Sequence, residues 1–397
     1  MPVRLILEDS AQFDWYIGES YPIYQALIVL LTGCVLAGIA WGDRGRPLRL
    51  APGHDPLVIT NHRTVWQVAL VLAVVGTGSW LWGIHNAGGL SGAYGTAYGG
   101  AKLASGYARE LRNLGLLGVL LVYLTRRGRG MRPIDWVLVG ICILPTIGHG
   151  LLGARRGPTF IAAAVAGAGY FFMIGRRVQL HTLAFAGIAL GLLMLFLVAN
   201  RSQIYIGSDV QELRGGLDYL VRWSSNEYLI GAKVMEYTQE VGGFYGRRQL
   251  AHLLGRLIPS ALWPTVYEDL TRFFGLAINL RQNAGVDAEA VASIAGWQPS
   301  VGSATGFVGA MWLEFQYLAP VVAFLIGWLY ASTWRRSQRD ARSRIFYILL
   351  VALSVYLVMQ DTDAWLYRVV MFYVILLILF PRQKQKRRRL RPQRMRR

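Results

Sequence analysis

The sequence predicts an all-α fold: a polytopic helical membrane protein with about nine transmembrane helices and one large extracytoplasmic helical loop. Three observations predict it. The 397 residues are 54% hydrophobic and only 16% charged, with a mean hydropathy of +0.36. Several apolar runs of about 17–25 residues are long enough to cross a bilayer. One stretch of the chain, residues 200–303, is instead rich in charged and polar residues.

These features divide the chain into four parts. Residues 1–199 would hold the first six spans with short loops, 200–303 the extracytoplasmic helical loop, 304–380 the last three spans, and 381–397 a basic cytoplasmic tail. The predicted spans are Tyr21–Trp41, Val65–Ile84, Asn113–Leu124, Ile134–Gly153, Thr159–Gly175, Leu180–Ala199, Thr305–Ser332, Ile345–Gln360 and Ala364–Phe380.

The distribution of basic residues orients these spans. Alternate connectors and the C-terminal tail hold 25 of the 41 Lys and Arg residues, all on one face. Cytoplasmic loops carry such an excess, so we assign this face to the cytoplasm, with the N-terminus outside and the C-terminus inside. The basic tail is expected to contact anionic lipid or to be disordered, and it lacks the aromatic interleaving of a nucleic-acid site.

Inside the long loop the pattern is helical. We expect one helix from Ser208 to Arg222, a second from Asn226 to about Glu240, a third over Arg247–Leu257, and a fourth that starts near Tyr267 after the cap residue Thr265. The third helix is amphipathic, with an apolar face formed by Leu250, Leu253, Leu254 and Leu257. Helices of this type lie on or dip into a leaflet surface.

Arginines on the predicted outer face are candidates for binding phosphate, because guanidinium is always charged and binds phosphate through two parallel hydrogen bonds. They are Arg155, Arg156, Arg201, Arg214, Arg222, Arg247, Arg248, Arg256 and Arg272. Ion pairs with the acids of the loop are the alternative role.

Two charged residues lie within predicted spans, Glu314 and Arg368. Such residues usually face the interior of the bundle and mark functional sites. They could instead form a structural pair with each other, or Arg368 could pair with Asp361 or Asp363.

Groups that could accept a proton from a hydroxyl include His252, Glu227, Glu268 and Asp269. His252 lies between Arg248 and Arg256 at i, i+4 spacing, so these three share one helix face. The two cysteines give no disulfide framework, and no spacing of ligands indicates a metal or another cofactor.

The chain resembles bacterial O-antigen and exopolysaccharide polymerases of the Wzy type. Three segments carry the resemblance: GARRGP at 153–158, GGFYGRRQLAHLLGRLIPSALWP at 242–264, and SATGFVGAMWLEFQYLAP at 303–320. The chain departs from the family in IPSALWPTV, where basic residues often follow the first proline and the Trp-Pro pair, and in its lower number of spans.

This resemblance implies a GT-C-like membrane glycosyltransferase that needs no metal or cofactor. A glycan linked to undecaprenyl pyrophosphate would be transferred to the non-reducing end of a lipid-linked repeat unit at the outer face of the membrane. Arg155, Arg156, Arg201, Arg214, Arg222, Arg248, Arg256 and Arg368 would bind the substrate, and His252, Glu227, Glu268 or Glu314 would serve catalysis. A chain-length regulator and a flippase are the partners implied. The alternatives are a ligase-like transfer to another acceptor and a transporter or scaffold subunit of polysaccharide export.

Overall fold

A computed structural model describes residues 20–44, 61–96, 99–100, 110–175, 179–200, 203–207, 227–258, 262–276, 293 and 304–380. These parts of the chain form α-helices and one 3₁₀ turn, and no strand occurs among them. The helices are α1 Ser20–Asp43, α2 His62–Asn86, α3 Gly89–Tyr94, α4 Leu114–Thr125, α5 Pro133–Leu152, α6 Arg156–Ile174, α7 Leu180–Ala199, α8 Glu227–Val241, α9 Arg247–Leu257, α10 Val266–Phe273, α11 Gly306–Phe315, α12 Ala319–Ser337, α13 Ala341–Met359 and α14 Thr362–Leu379.

The chain is a multi-pass helical membrane protein. Seven described helices are long and apolar enough to cross a bilayer, by length and composition. They are Pro22–Asp43, His62–Asn86, Pro133–Leu152, Arg156–Ile174, Gly306–Ser337, Ala341–Met359 and Thr362–Leu379. The prediction of a polytopic all-α protein is therefore confirmed, whereas seven rather than nine helices reach the length of a span.

Two other predicted spans, Asn113–Leu124 and Leu180–Ala199, are not among these seven. Helix α4 has 12 residues, about 18 Å at the usual rise, which is short of the ~30 Å hydrocarbon layer. Every residue of α4 is buried, among α2, α5 and α6. An evenly apolar helix of this kind belongs in the core, so its composition reflects burial by protein. Helix α7 keeps the predicted bounds, and the described part of its apolar run is Ala184–Leu197.

Helices α1 and α12 pack through glycines. A Cβ atom on Gly38 would overlap the carbonyl oxygen of Phe324, and one on Gly327 would overlap that of Val35. Small residues let helix backbones approach this closely in membranes, where van der Waals contact drives association.

Gly38→Leu is therefore expected to force α1 and α12 apart and to lower stability by about 1–3 kcal/mol, the usual cost of overpacking. Thermal unfolding of the purified protein in detergent measures the change. Gly33→Leu is the matched control, because a Cβ on Gly33, also in α1, meets nothing within 4 Å. Equal melting temperatures for the two variants would contradict the close contact.

One end of the bundle is basic. We call it the basic end; among its residues are Arg126, Arg127, Arg335, Arg336 and Arg342. Three of these arginines donate to carbonyl oxygens at or just beyond the C-termini of neighbouring helices: Arg335 to Gly42 at 2.9 Å, Arg127 to Met173 at 2.9 Å and Arg342 to Phe380 at 3.5 Å. Cations at helix C-termini satisfy unpaired carbonyls and oppose the helix dipole.

The predicted span Thr305–Ser332 is broken in the structure. Helix α11 ends at Phe315, Gln316–Leu318 form a 3₁₀ turn, and α12 then continues to Ser337. Gln316 has a positive φ of 44°, and Pro320 occupies the first turn of α12, where its missing N–H costs no hydrogen bond. The break lies two residues after Glu314, so it belongs to the surroundings of that carboxylate.

The second, third and fourth helices predicted in the long loop are confirmed as α8, α9 and α10. The helix predicted from Ser208 to Arg222 lies outside the described residues. Helix α8 does not lie apart from the bundle: it packs against α1 and α11, where a Cβ on Gly231 would overlap the Tyr24 hydroxyl. Helix α9 packs against α14.

Candidate functional site

A buried ion cluster joins the loop helix α9 to the end of the bundle opposite the basic end. We call it the Arg248 cluster: Arg248, His252, Glu314, Asp361 and Asp363. The Arg248 side chain is fully buried. Its Nε pairs with Glu314 Oε1, its Nη1 lies 2.9 Å from Asp363 Oδ2, and both Nη atoms lie 3.4 Å from Asp361. One guanidinium therefore faces three carboxylates from α11 and the start of α14.

The local sequence explains how α14 supplies two of these acids. Asp361 is the N-cap of α14 and accepts a hydrogen bond from the backbone N–H of Asp363 at 3.5 Å. Negative side chains are stabilised at a helix N-terminus by the unpaired N–H groups and the helix dipole. Burial by itself would lower the pKa of Arg248, but the charges of Asp361, Asp363 and Glu314 outweigh burial and raise it well above the usual value.

His252 lies one helical turn after Arg248, and its Nε2 is 3.7 Å from Asp363 Oδ2. Burial, followed by the charges of Arg248 and Arg256, lowers the pKa of His252 to about 3. The imidazole is therefore uncharged at neutral pH and carries a free lone pair on one nitrogen. An uncharged, buried imidazole beside a carboxylate can accept a proton.

The buried face of α9 includes polar side chains. Arg248 and His252 are buried, as predicted for residues that share one face, whereas Leu250 is 45% exposed. Leu254 packs against a buried apolar cluster, so the predicted leucine face is divided between the interior and the surface. Carboxylates on α11 and α14 attract the arginine inward, because three ion pairs formed in a low-dielectric interior outweigh the burial of one leucine.

Four arginines at the same end of the bundle form a second group, the arginine ring: Arg112, Arg155, Arg156 and Arg368. Arg368 Nη2 pairs with Glu110 Oε1 at 2.9 Å, and its guanidinium lies 4.2 Å from the centre of the Tyr356 ring. The pair predicted between Glu314 and Arg368 does not form, since each has a nearer partner.

Tyr356 and Tyr94 connect the members of this group to one another. On one side, a Cβ on Gly157 would lie 2.7 Å from Tyr356, and Arg156 Nη2 donates to Met359 O at 3.4 Å. On the other side, Arg155 Nε donates to Gly99 O at 3.2 Å.

Tyr94 links Arg155 to Arg112, which follows Glu110 by two residues. Burial raises the pKa of Tyr94, and the hydrogen bond from Trp80 and the charges of Arg112 and Arg155 partly offset that increase. Tyr94 is fully buried, with its hydroxyl 2.9 Å from Trp80 Nε1 and 3.2 Å from His149 Nδ1. Tyr94 is thus a packing residue.

The two groups are neighbours on α14. Asp363 and Arg368 are five residues apart, about 7.5 Å along the helix axis. Arg256 of α9 lies 5.3 Å from the ring centre of Tyr367, the residue before Arg368. Helix α14 therefore carries a residue of each group, and α9 packs against it.

Backbone strain occurs beside both groups. Ala154, Tyr245 and Gln316 are the non-glycine residues with positive φ among those the structure describes. Ala154 precedes Arg155, Tyr245 lies three residues before Arg248, and the Tyr245 hydroxyl donates to Gln316 Oε1 at 2.8 Å. Strained residues of this kind gather at functional sites.

An open apolar groove lies on α2. It has a volume of about 370 Å³ and is lined by Val74, Val75, Gly78, Ser79, Trp82 and Leu111. Leu111 precedes Arg112 in the chain; it is exposed, whereas Arg112 is buried.

Other predicted residues lie elsewhere. Arg201, Arg214 and Arg222 fall outside the described residues, and Glu227 is the first residue of α8. Glu268 is exposed on α10. Asp269 accepts hydrogen bonds from Thr265 and Trp263, which lower its pKa and stabilise the turn before α10.

Sequence reasoning missed the roles of Glu110, Arg112, Asp361 and Asp363. The two aspartates appeared only as partners for Arg368. Their signal was the pair of acids in QDTDAW at the start of an apolar span. Glu110 and Arg112 carried the weaker signal of charges at the start of a very apolar helix.

Comparisons of the chain with models of protein families, with curated proteins and with solved structures give no match.

Proposed function

We propose that this protein is a metal-independent glycosyltransferase that polymerises a polysaccharide. The donor is a glycan on undecaprenyl pyrophosphate, and the acceptor is the non-reducing end of a lipid-linked repeat unit. The positive-inside rule assigns the basic end to the cytoplasm, and the reaction then takes place at the outer face of the inner membrane.

The observation that carries this proposal is the presence of four arginines and an uncharged, buried histidine at the same end of the bundle. Pyrophosphate leaves with negative charge, and preorganised guanidinium groups stabilise that charge as it develops. Arg112, Arg155, Arg156 and Arg368 come from three separate parts of the chain, and an open apolar groove on α2 includes Leu111, the residue before Arg112. A ligand with a phosphate head and an apolar chain matches this combination.

His252 is the proton acceptor in this mechanism. Its lone pair accepts the proton of the acceptor hydroxyl, and the oxygen's electron pair forms the new glycosidic bond. The bond between the anomeric carbon and the phosphate oxygen breaks, and its electron pair leaves with the pyrophosphate. Arg248 serves by holding the carboxylates around His252, because its own guanidinium is fully buried and paired.

The test uses purified protein in liposomes with a lipid-linked repeat unit. Growth of a ladder of lipid-linked products is expected, with the same rate after EDTA treatment, as the proposed metal-independent mechanism requires. Transfer to a different acceptor without a ladder would establish the ligase-like alternative. Loss of activity in EDTA would overturn the metal-independent mechanism.

A transporter or scaffold subunit of polysaccharide export is the second candidate. The broken span α11–α12 beside Glu314 favours it, because discontinuous helices form substrate sites in transporters. Movement of a lipid-linked glycan across the liposome membrane without any lengthening would support transport.

A further inference from the structure

We infer that Asp363 is the positioning residue for His252: its carboxylate orients the imidazole and balances the positive charge that the imidazole gains when it takes a proton. This inference rests on the proposed function and adds a residue whose role the sequence did not indicate.

The distance between His252 and Asp363 and the burial of both side chains support their pairing. Both side chains are buried, and His252 Nε2 lies 3.7 Å from Asp363 Oδ2. Neither His252 Nε2 nor Asp363 Oδ1 has a hydrogen-bond partner among the described residues. A buried polar atom without a partner costs about 1–3 kcal/mol. Two such atoms on adjacent side chains mark a place where a proton or a substrate hydroxyl completes the hydrogen bonding.

Charge then explains why His252 needs Asp363. Arg248 and Arg256 flank His252 on α9, and both disfavour a positive imidazole. Two other titratable groups lie on neighbouring helices. Glu314 of α11 forms an ion pair with Arg248 Nε, and Tyr267 of α10 lies against Gly255. Asp363 of α14 is the carboxylate within 4 Å of the imidazole. An imidazolium formed during the reaction would therefore draw its compensating charge from Asp363.

Arg248 fixes Asp363 for this role. Its Nη1 lies 2.9 Å from Asp363 Oδ2, the same oxygen that faces His252. Asp361 also contacts Arg248, at 3.4 Å, but the structure places no contact between Asp361 and His252. Asp361 is thus a matched control: its loss removes one carboxylate from Arg248 without touching the imidazole.

The experiment compares Asp363→Asn, Asp361→Asn, His252→Gln and the double variant Asp363→Asn with His252→Gln, each in the full chain in liposomes with lipid-linked repeat units. Asp363→Asn is expected to lower kcat by about 10²–10⁴-fold, the range for general-base catalysis, with KM nearly unchanged. Asp361→Asn is expected to lose less than tenfold. The double variant is expected to be no slower than His252→Gln alone, since the two residues act as one unit.

The pH profile separates positioning from stability. With Asp363 in place, the rate is expected to be level from about pH 5 to 8, because His252 stays uncharged there. In His252→Gln the rate is expected to rise tenfold per pH unit as hydroxide replaces the lost base, whereas Asp363→Asn keeps His252 and is expected to keep a level profile at a lower rate. Losses that multiply in the double variant, or equal losses in Asp363→Asn and Asp361→Asn, overturn the inference.

A second measurement does not depend on activity. Nitrogen NMR of selectively labelled histidine is expected to show one tautomer for His252 in the wild type and a mixture in Asp363→Asn. Unchanged histidine signals overturn the positioning role. If the wild type shows no lengthening of glycans but the tautomer changes, the proposed function fails while the pairing stands.

Discussion

Arg156→Ala is expected to reduce glycan lengthening by about 10²–10³-fold, the cost of removing one donor to a developing negative charge. Arg156 is the first residue of α6, half-buried, with its guanidinium beside the carbonyl of Met359. This position joins α6 to the end of α13 and completes the arginine ring. Arg156→Lys is expected to be intermediate, because an ammonium group keeps the charge but loses the paired geometry of guanidinium.

The measurement is the length distribution of lipid-linked products in liposomes. Arg336→Ala is the matched control, since it removes the same charge from an exposed residue at the basic end and is expected to leave product lengths unchanged. Arg214→Ala and Arg222→Ala, outside the described residues, carry the same prediction as Arg156→Ala. Wild-type product lengths in all three variants would exclude arginines from the site.

Arg248→Ala is expected to lower the stability of the protein by about 3–5 kcal/mol, the cost of leaving buried charges without their partner. Glu314, Asp361 and Asp363 would face one another in an interior where carboxylates repel strongly. Thermal unfolding in detergent, with the yield of folded protein, measures the loss. Arg247→Ala is the control, because the hydrogen bonds of this exposed neighbour within the described part of the chain go to the carbonyls of Phe244 and Phe274.

A multiple variant tests whether the unpaired carboxylates cause the loss of stability. Arg248→Met combined with Glu314→Gln, Asp361→Asn and Asp363→Asn removes the unpaired charge and is expected to recover part of the lost stability. It is not expected to recover activity, since His252 has then lost its carboxylate. If Arg248→Ala melts like Arg247→Ala, the cluster does not hold α9 to the bundle.

The helices were predicted well because their signals are local. Hydropathy located the spans, and cap residues and apolar periodicity located α8, α9 and α10 within one or two residues. The interruption between α11 and α12 was missed, because the run around Glu314 stays apolar and the break depends on contacts that Gln316 makes with Tyr245 and Thr238. Those partners lie more than seventy residues away in the chain.

The candidate site was predicted in part. Arg155, Arg156, Arg248, His252, Glu314 and Arg368 do lie at one end of the bundle, but in two groups with different partners. Arg368 pairs with Glu110 across 258 positions of the chain, and Arg248 meets Asp361 across 113. No periodicity indicates such pairs, since electrostatic attraction acts through space and depends on which helices pack together.

The sequence alone determined the class of protein, because a chain with this many apolar runs satisfies its backbone in a membrane only as helices. It also determined which end of the bundle is basic, because the basic residues lie in alternate connectors between the spans. Only the tertiary structure decided that α9 turns its arginine and histidine inward and leaves Leu250 exposed. The carboxylates that attract this face come from α11 and α14, and their position relative to α9 exists only once the helices have packed.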